Sequence, residues 1–433
     1  MYALYTMVLA VSLLLTLPYW LARMARHAKN RAGLWARLGR VPPHLQSVNP
    51  RVIWVHAVSV GEVMAVSRLV EGLRQSFPGH RVVVSTTTLT GQQLAQKQFG
   101  RDNVFYFPLD LPFAVRPYLD ALQPQLLIVA ETEFWPNVLR MSKTRGTRIA
   151  IVNARISDRS LPGYRRVRRW LARVLQNVDL FLTQTWEDRH RLVELGAEAT
   201  RVEVTGNLKF EIALQDPPAI VAQLRQSLQE AGGGPVLVCG STLEGEETLL
   251  LSAFRHVLAS HARAVMVLAP RHPERFAEVA SLLQELDFRY WRRSTWKDEP
   301  VAGGVFLLDS IGELAALYAL ATVAFVGGSL VPKGGHNILE PAQYAVPIIV
   351  GNHTENFRDI VWLFQTNRAV RIVGPAELPL VVMELLADET ECRELGERGR
   401  QVLRSQMGAT DRTLEALRRL MKDSPTAPVS VTP

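Results

Sequence analysis

A glycine-rich run in the second half of the chain carries residues suited to nucleotide chemistry. It reads FVGGSLVPKGGHNILEPA over Phe325–Ala342 and follows an apolar strand, Ala321–Val326. Glycine lets the backbone approach a ligand closely, and a helix beginning near Asn337 would point free N–H groups and its positive dipole end at that ligand. Asn337 and Glu340 are three residues apart and would share one helix face. The pattern predicts a nucleotide site in which Glu340 accepts hydrogen bonds from ribose hydroxyls. The simpler alternative is a turn between a buried strand and its helix.

Carboxylates and a lysine follow the apolar strands of the first half. The segment WVHAVSVGEVM, Trp54–Met64, places Glu62 after Gly61 at the start of a helix, where the helix dipole favours a carboxylate. A loop at a sheet edge would let this group reach an acceptor oxygen, as a general base must. The alternative is a glutamate that only complements the dipole. Lys209, in TGNLKFE, is either a cation for a phosphate or carboxylate or a solvated lysine.

Four further segments, ETEFWPN, NARIS, GSTLEGEE and APRHPERF, join HAVSVGE and NLKFE to complete the pattern. In this order and spacing they resemble the 3-deoxy-D-manno-octulosonic acid (Kdo) transferases of Gram-negative bacteria, over nearly the whole chain to about residue 420. The resemblance implies a GT-B glycosyltransferase that moves Kdo from CMP-Kdo to the lipid A precursor, lipid IVA, with inversion. It also implies that no metal and no other cofactor takes part.

The resemblance assigns roles to individual residues. Glu62 would be the catalytic base, and Glu131 and Lys209 would support the transition state. Donor-binding residues would be Ser241, Pro270, Arg271, Ile311, Gly312, Glu313, Asn337, Ile338, Leu339 and Glu340. Four more residues, which bind the acceptor or have no settled role, are His56, Ser59, Arg155 and Ser157.

The pattern of apolar runs predicts the fold class, α/β with two Rossmann-like doubly wound domains. Short continuous apolar strands alternate with helical segments, which is typical of parallel sheets covered on both faces. The alternation breaks at Gln215–Pro218, so we expect an acceptor domain at residues 50–215 and a donor domain at 216–424. Ligands of such sheets bind beyond the carboxyl ends of the strands. Residues 425–433 are a short proline-rich tail, which we expect to be disordered.

The N-terminus predicts a membrane anchor. Residues 1–22 form an apolar run without charge, long enough for a bilayer core of about 30 Å. The basic segment at 23–49 follows and would mark the cytoplasmic side. A cleaved signal peptide would carry positive charge before its apolar run. Here the basic residues follow the run, so we expect an uncleaved anchor in the bacterial inner membrane. Whether this segment spans the bilayer or lies in its interface stays open.

The charge balance predicts an anionic partner. Net charge is +8, and the two cysteines, Cys239 and Cys392, suggest no disulfide framework. Tyr164–Leu175 reads YRRVRRWLARVL, a basic amphipathic helix suited to anionic inner membrane lipids. A solvated helix face or an RNA-binding patch is the alternative, but we expect no nucleic acid partner. Two other functions are weighed against Kdo transfer: a GT-B lipid glycosyltransferase that uses a UDP-sugar, and a non-catalytic membrane-tethered nucleotide-binding protein.

Overall fold

The computed structural model describes residues 1–26, 33–46, 51–158, 160–210 and 218–422. The described chain divides into two compact units. Unit 1 contains residues 1–210 together with 407–422, and unit 2 contains residues 218–406. Both units are α/β folds built on a seven-stranded parallel sheet, which confirms the predicted fold class.

The sheet of unit 1 reverses its strand order next to its first strand. The order is β3-β2-β1-β4-β5-β6-β7. The strands are β1 (Val52–His56), β2 (Arg81–Thr86), β3 (Val104–Tyr106), β4 (Pro124–Ala130), β5 (Arg148–Ala154), β6 (Leu180–Thr183) and β7 (Val202–Val204). Because β1 lies between β2 and β4, the chain leaves in opposite directions from the carboxyl ends of β1 and β4, and such a switch point is where doubly wound sheets bind ligands.

The helices of unit 1 cover both faces of this sheet. They are α1 (Tyr2–Arg26), α2 (Leu34–Arg37), α3 (Val60–Ser76), α4 (Leu89–Phe99), α5 (Pro112–Leu122), α6 (Pro136–Thr144), α7 (Leu161–Arg166), α8 (Arg168–Leu175) and α9 (Trp186–Leu195). Strand β1 shows why its sequence is continuously apolar: Trp54 packs into the core on one face, and Ile53 and Val55 into the core on the other.

Unit 2 repeats the architecture with the order β10-β11-β9-β8-β12-β13-β14. Its strands are β8 (Val236–Thr242), β9 (Val265–Pro270), β10 (Tyr290–Arg292), β11 (Gly304–Leu307), β12 (Val323–Val326), β13 (Ile348–Gly351) and β14 (Arg371–Val373). Its helices are α10 (Ala219–Glu230), α11 (Glu246–Ser260), α12 (Phe276–Glu285), α13 (Leu314–Leu317), α14 (Leu339–Ala342), α15 (Arg358–Thr366), α16 (Leu378–Ala387) and α17 (Glu389–Gln406). The edge strands β10 and β14 have three residues each.

The last helix, α18 (Ala409–Lys422), belongs to unit 1. It packs against α3, where a Cβ on Gly72 would lie 2.4 Å from Leu414 Cδ1, so a side chain at position 72 would force the Leu414 side chain to move. Leu417 is fully buried in the same core. The prediction that residues 216–424 form one domain is therefore wrong for 407–422, since an apolar helix face does not specify which core it joins. The predicted boundary near 215 and the tail at 425–433 lie outside the described residues.

The N-terminal segment forms the single helix α1. Within the part of the chain that the structure describes, no helix combines the length and apolar character needed to cross a membrane, so the spanning anchor at residues 1–22 is not supported. The start of α1 docks on unit 1 through polar groups. Asn177 Nδ2 donates to Tyr2 Oη at 2.8 Å, and Asn137 Nδ2 donates to Thr6 Oγ1 at 3.0 Å.

Candidate functional site

Glu62 sits in the first turn of α3, just beyond the carboxyl end of β1. Ser59 is the N-cap: its hydroxyl accepts from Glu62 N at 3.4 Å and donates to Glu62 Oε1 at 3.0 Å. Val58 N donates to Glu62 Oε2 at 2.7 Å. A serine at the N-cap with a glutamate three residues later is a capping box, which turns the carboxylate back onto the start of its own helix. Ser59 thus orients the carboxylate.

Burial sets the acidity of this group. Only 8% of Glu62 is exposed. Burial raises the pKa of Glu62 to about 7, against the lowering effect of the Val58 N–H, and the charges of Glu131 and Glu133 raise it further. A carboxylate that changes charge near neutral pH can accept a proton and release it, as general acid–base catalysis requires.

An ion pair lies at the end of the neighbouring strand β4. Glu131 follows this strand with a left-handed φ of 57°, held by a 2.9 Å bond from its N–H to Val152 O. Its Oε1 lies 2.7 Å from Lys209 Nζ. About a third of each side chain is exposed, 36% for Lys209 and 29% for Glu131. The structure therefore brings two of the predicted catalytic residues into contact, with a cation accessible to an anionic substrate.

Asn153 positions Lys209 and is missing from the predicted site. It is the next-to-last residue of β5, has a φ of 55° and is 1% exposed, and its Oδ1 accepts from Leu208 N at 3.0 Å. Asn207 Oδ1 then accepts from Lys209 N at 2.9 Å. The signal in the sequence is an asparagine directly after an apolar strand, since asparagine tolerates the left-handed region and bonds to nearby backbone.

The remaining predicted residues of unit 1 have local partners. His56 is fully buried, stacks on Phe107 with ring centroids 3.7 Å apart, and has its Nδ1 3.0 Å from Ser85 Oγ. Burial lowers the pKa of His56 to about 3, so the ring is neutral and serves packing. Arg155 N donates to Thr132 Oγ1 at 3.2 Å, and Ser157 Oγ lies 2.8 Å from Ser160 Oγ, so these contacts shape the loop after β5.

In unit 2, several predicted donor residues gather beyond the strand ends. Ser241, in β8, has a left-handed φ of 56°. Arg271 follows Pro270, the last residue of β9, and its N–H donates to Thr242 O at 2.9 Å. Asn337 Nδ2 lies 3.4 Å from Glu340 Oε1. Burial raises the pKa of Glu340, while the Asn337 contact and the charge of Arg271 lower it, which places Arg271 near this carboxylate.

The helix predicted from Asn337 is shorter and begins later. It is the four-residue α14, Leu339–Ala342, with Asn337 ahead of it accepting from Leu339 N at 3.1 Å through Oδ1. The two polar residues therefore meet through this turn and not along a helix face. Ile338 and Leu339 are buried, so only their backbone can face a ligand.

The segment Ile311–Glu313 contains a structural ion pair. Arg293 donates to both carboxylate oxygens of Glu313, at 3.1 Å from Nε and 3.0 Å from Nη2. Gly312 has a φ of 96°, and Ile311 is exposed. The Glu313 carboxylate is therefore hydrogen-bonded to Arg293, while the backbone of Ile311 and Gly312 remains at the surface. Among the described residues, no cluster of three or more His, Cys, Asp or Glu side chains could hold a metal ion.

The raised pKa of Glu62 predicts that its replacement stabilises the protein. Since the folded pKa of about 7 exceeds the usual value of 4.5, folding stability is lost as pH rises from about 4.5 to about 7. Glu62→Gln should therefore raise the free energy of unfolding at pH 8 by about 1–3 kcal/mol, with little gain at pH 4. Urea denaturation at both pH values measures this.

The exposed Glu71 on the same helix provides the control. Glu71→Gln should leave the free energy of unfolding nearly unchanged at both pH values. A Glu62→Gln variant that is destabilised equally at pH 4 and pH 8 would contradict the raised pKa.

Comparison with known proteins gives a consistent assignment. Residues 32–212 match the family model described as 3-deoxy-D-manno-octulosonic-acid transferase (kdotransferase). The 3-deoxy-D-manno-octulosonic acid transferase of Haemophilus influenzae is 37% identical over 373 residues, which cover 85% of this chain and 87% of that protein.

Two solved structures are also similar. The C-terminal CMP-Kdo binding domain of WaaA from Acinetobacter baumannii is 38% identical, with a TM-score of 0.40, over 43% of this chain and 98% of that one. A putative UDP-N-acetylglucosamine 2-epimerase from Listeria monocytogenes, 14% identical with a TM-score of 0.53 over 87% of this chain and 98% of that one, shares the fold. On its identity to the H. influenzae enzyme across most of both sequences, this chain belongs to the Kdo transferase family of glycosyltransferases.

Proposed function

We propose that this glycosyltransferase moves Kdo from CMP-Kdo to a hydroxyl of the lipid A precursor lipid IVA, with inversion. The observation that carries the proposal is the buried Glu62 carboxylate, whose pKa of about 7 suits a general base at the switch point of unit 1. Membership of the Kdo transferase family supplies the sugar, and the resemblance carried by the motifs from HAVSVGE to GGHNILEP supplies the expected donor and acceptor.

In this mechanism Glu62 takes the proton of the acceptor hydroxyl. The acceptor oxygen attacks the anomeric carbon of Kdo as the bond from that carbon to the CMP phosphate oxygen breaks, and the electron pair leaves with CMP. Positive charge develops on the sugar ring and negative charge on the departing phosphate. Lys209 supplies an ammonium for the anionic donor, and Glu131 holds that ammonium in place at 2.7 Å.

Unit 2 would bind the nucleotide. Arg271 can form paired hydrogen bonds with phosphate oxygens, and the backbone N–H of Ser241, near the irregular end of β8, could donate to them. Glu340, oriented by Asn337, would accept hydrogen bonds from the ribose hydroxyls. The exposed backbone of Ile311 and Gly312 would read the edge of cytosine.

Helix α1 supports an interfacial position at the inner membrane. Tyr2 and Thr6 contact the rest of unit 1. Six apolar side chains of the helix are about half exposed or more: Leu4, Met7, Val8, Val11, Leu14 and Leu15. Tyr5 lies next to Trp170 of α8, with ring centroids 5.9 Å apart. The predicted basic helix at 164–175 is two helices, α7 and α8, that meet at Val167. Together these elements would rest on the anionic cytoplasmic face and receive the acceptor there.

Transfer itself can be tested by weighing the lipid. Purified protein is incubated with freshly generated CMP-Kdo and tetraacylated lipid A precursor, and the lipid mass is measured. Wild type and Glu71→Gln should add Kdo mass, while Glu62→Gln should lose at least about 99% of the rate, as expected when a general base contributing 10²–10⁴-fold is removed. No added mass with wild type would overturn the donor and acceptor, and full activity in Glu62→Gln would overturn the base.

Membrane binding is tested with vesicles that contain anionic lipid. The double variant Leu14→Glu, Leu15→Glu should bind at least about tenfold more weakly in a flotation assay, because two apolar side chains no longer enter the interface. The control is Leu380→Glu, which changes an equally exposed leucine of unit 2. Equal binding by wild type and the double variant would contradict the interfacial helix.

A further inference from the structure

Two of the sequence motifs meet at one buried carboxylate in unit 2. Glu246, the first residue of α11, is fully buried. Its Oε2 accepts from Gly328 N at 2.7 Å, and its Oε1 accepts from Ser329 N and from Leu330 N, both at 2.9 Å. Leu243 N donates to Oε2 at 2.9 Å. A side chain in GSTLEGEE therefore holds the glycine turn that follows β12, 82 residues further along the chain.

This contact changes the role of the first glycine pair. Three consecutive N–H groups that converge on one point form an anion-binding concavity of the kind that cradles phosphates. Here the protein's own carboxylate fills it, so the N–H groups of Gly328, Ser329 and Leu330 are not available to a nucleotide. The structure therefore differs from the expectation that the backbone of this glycine pair contacts the ligand directly. The turn acts on the ligand through other residues.

The Gly328–Leu330 turn also fixes the segment that carries the donor-binding residues. Gly335 N donates to Gly328 O at 2.8 Å. A Cβ on Gly328, whose φ is 70°, would lie 3.0 Å from His336 Nε2, so the imidazole packs against the bare backbone of the turn. Asn337 and Glu340 follow directly. The position of the turn therefore sets the position of the asparagine and the carboxylate.

We propose that Glu246 is a positioning residue for nucleotide binding. Its carboxylate holds the Gly328–Leu330 turn, and through Gly335 and His336 the turn places Asn337 and Glu340 against the ribose of the leaving nucleotide. The inference rests on the proposed CMP-Kdo donor. It assigns Glu246 no contact with substrate and no part in proton transfer.

CMP itself is the probe, and isothermal titration calorimetry on the full chain measures its affinity. Glu246→Gln keeps the shape of the side chain but places an amide N–H₂ against backbone N–H donors. We expect CMP to bind about tenfold more weakly, the effect of roughly one lost charge-assisted hydrogen bond. In transfer assays the KM for CMP-Kdo should rise by a similar factor with a smaller change in kcat.

The neighbouring Glu247 offers a matched control. It is also buried and bonds to side chains, Thr242 Oγ1 at 2.9 Å and Arg275 Nη1 at 2.5 Å, with no bond to the turn. Glu247→Gln should lower the melting temperature while CMP affinity stays within about twofold, a change below about 0.5 kcal/mol. Equal losses of CMP affinity in both variants would overturn the inference, since they would reflect general loosening of unit 2.

A second variant decides the matter if Glu246→Gln does not fold. Gly328→Ala leaves the carboxylate intact but pushes a methyl group toward the His336 ring, and it should also weaken CMP binding. Wild-type affinity in Gly328→Ala, or in a folded Glu246→Gln, would contradict the positioning role while leaving the donor assignment in place. Failure of the wild type to bind CMP would overturn the donor assignment and this inference with it.

Discussion

Removal of the Glu62 carboxylate from water is the constraint on which the site of unit 1 depends. The group is only 8% exposed, and two local donors, Val58 N–H and the Ser59 hydroxyl, replace part of its hydration. That is too little to keep an ordinary carboxylate acidity, so the pKa of Glu62 rises to about 7. Around this carboxylate lie a serine that caps the helix, a neutral buried His56 at the end of β1, and a lysine that pairs with a second carboxylate, Glu131.

Glu62 and Glu246 show how one residue type at one place in the fold serves two purposes. Both lie in the first turn of the helix that follows the first strand of their unit. Glu62 has donors from its own turn alone and lies next to other carboxylates, so it keeps the capacity to exchange a proton. Glu246 accepts four backbone N–H groups, three of them from a distant turn, so its contribution is geometric. The two glutamates therefore differ in their hydrogen-bond partners and not in their place in the fold.

The sequence predicts the parts of this structure that depend on local pattern. Continuous apolar runs locate most central strands, and the helical pattern that begins at Gly61 locates the head of α3 to within one residue. The three-residue edge strands β10 and β14 are too short to show such a pattern. Helix α18 carries an apolar face that would suit either core, and its contacts place it in unit 1, where Leu414 lies against Gly72 and Leu417 is buried.

Side-chain partners across long chain separations are where prediction from the sequence fails. Glu246 finds its donors 82 residues away, and Glu313 meets Arg293 from another strand end, although each looks like an ordinary acid at a helix start. Asn153 reaches Leu208 over 55 residues. The apolar length of α1 suggests a membrane span, but length does not reveal that Tyr2 and Thr6 dock on unit 1.

The pH dependence of single-turnover Kdo transfer, with enzyme in excess over CMP-Kdo and saturating lipid acceptor, tests the central role of Glu62 most directly. If its buried carboxylate is the base, the rate should rise about tenfold per pH unit below pH 7 and level off above it, with a midpoint near its pKa of about 7. A rate that is flat from pH 5.5 to 8.5, or a midpoint near the ordinary glutamate pKa of 4.5, would contradict it.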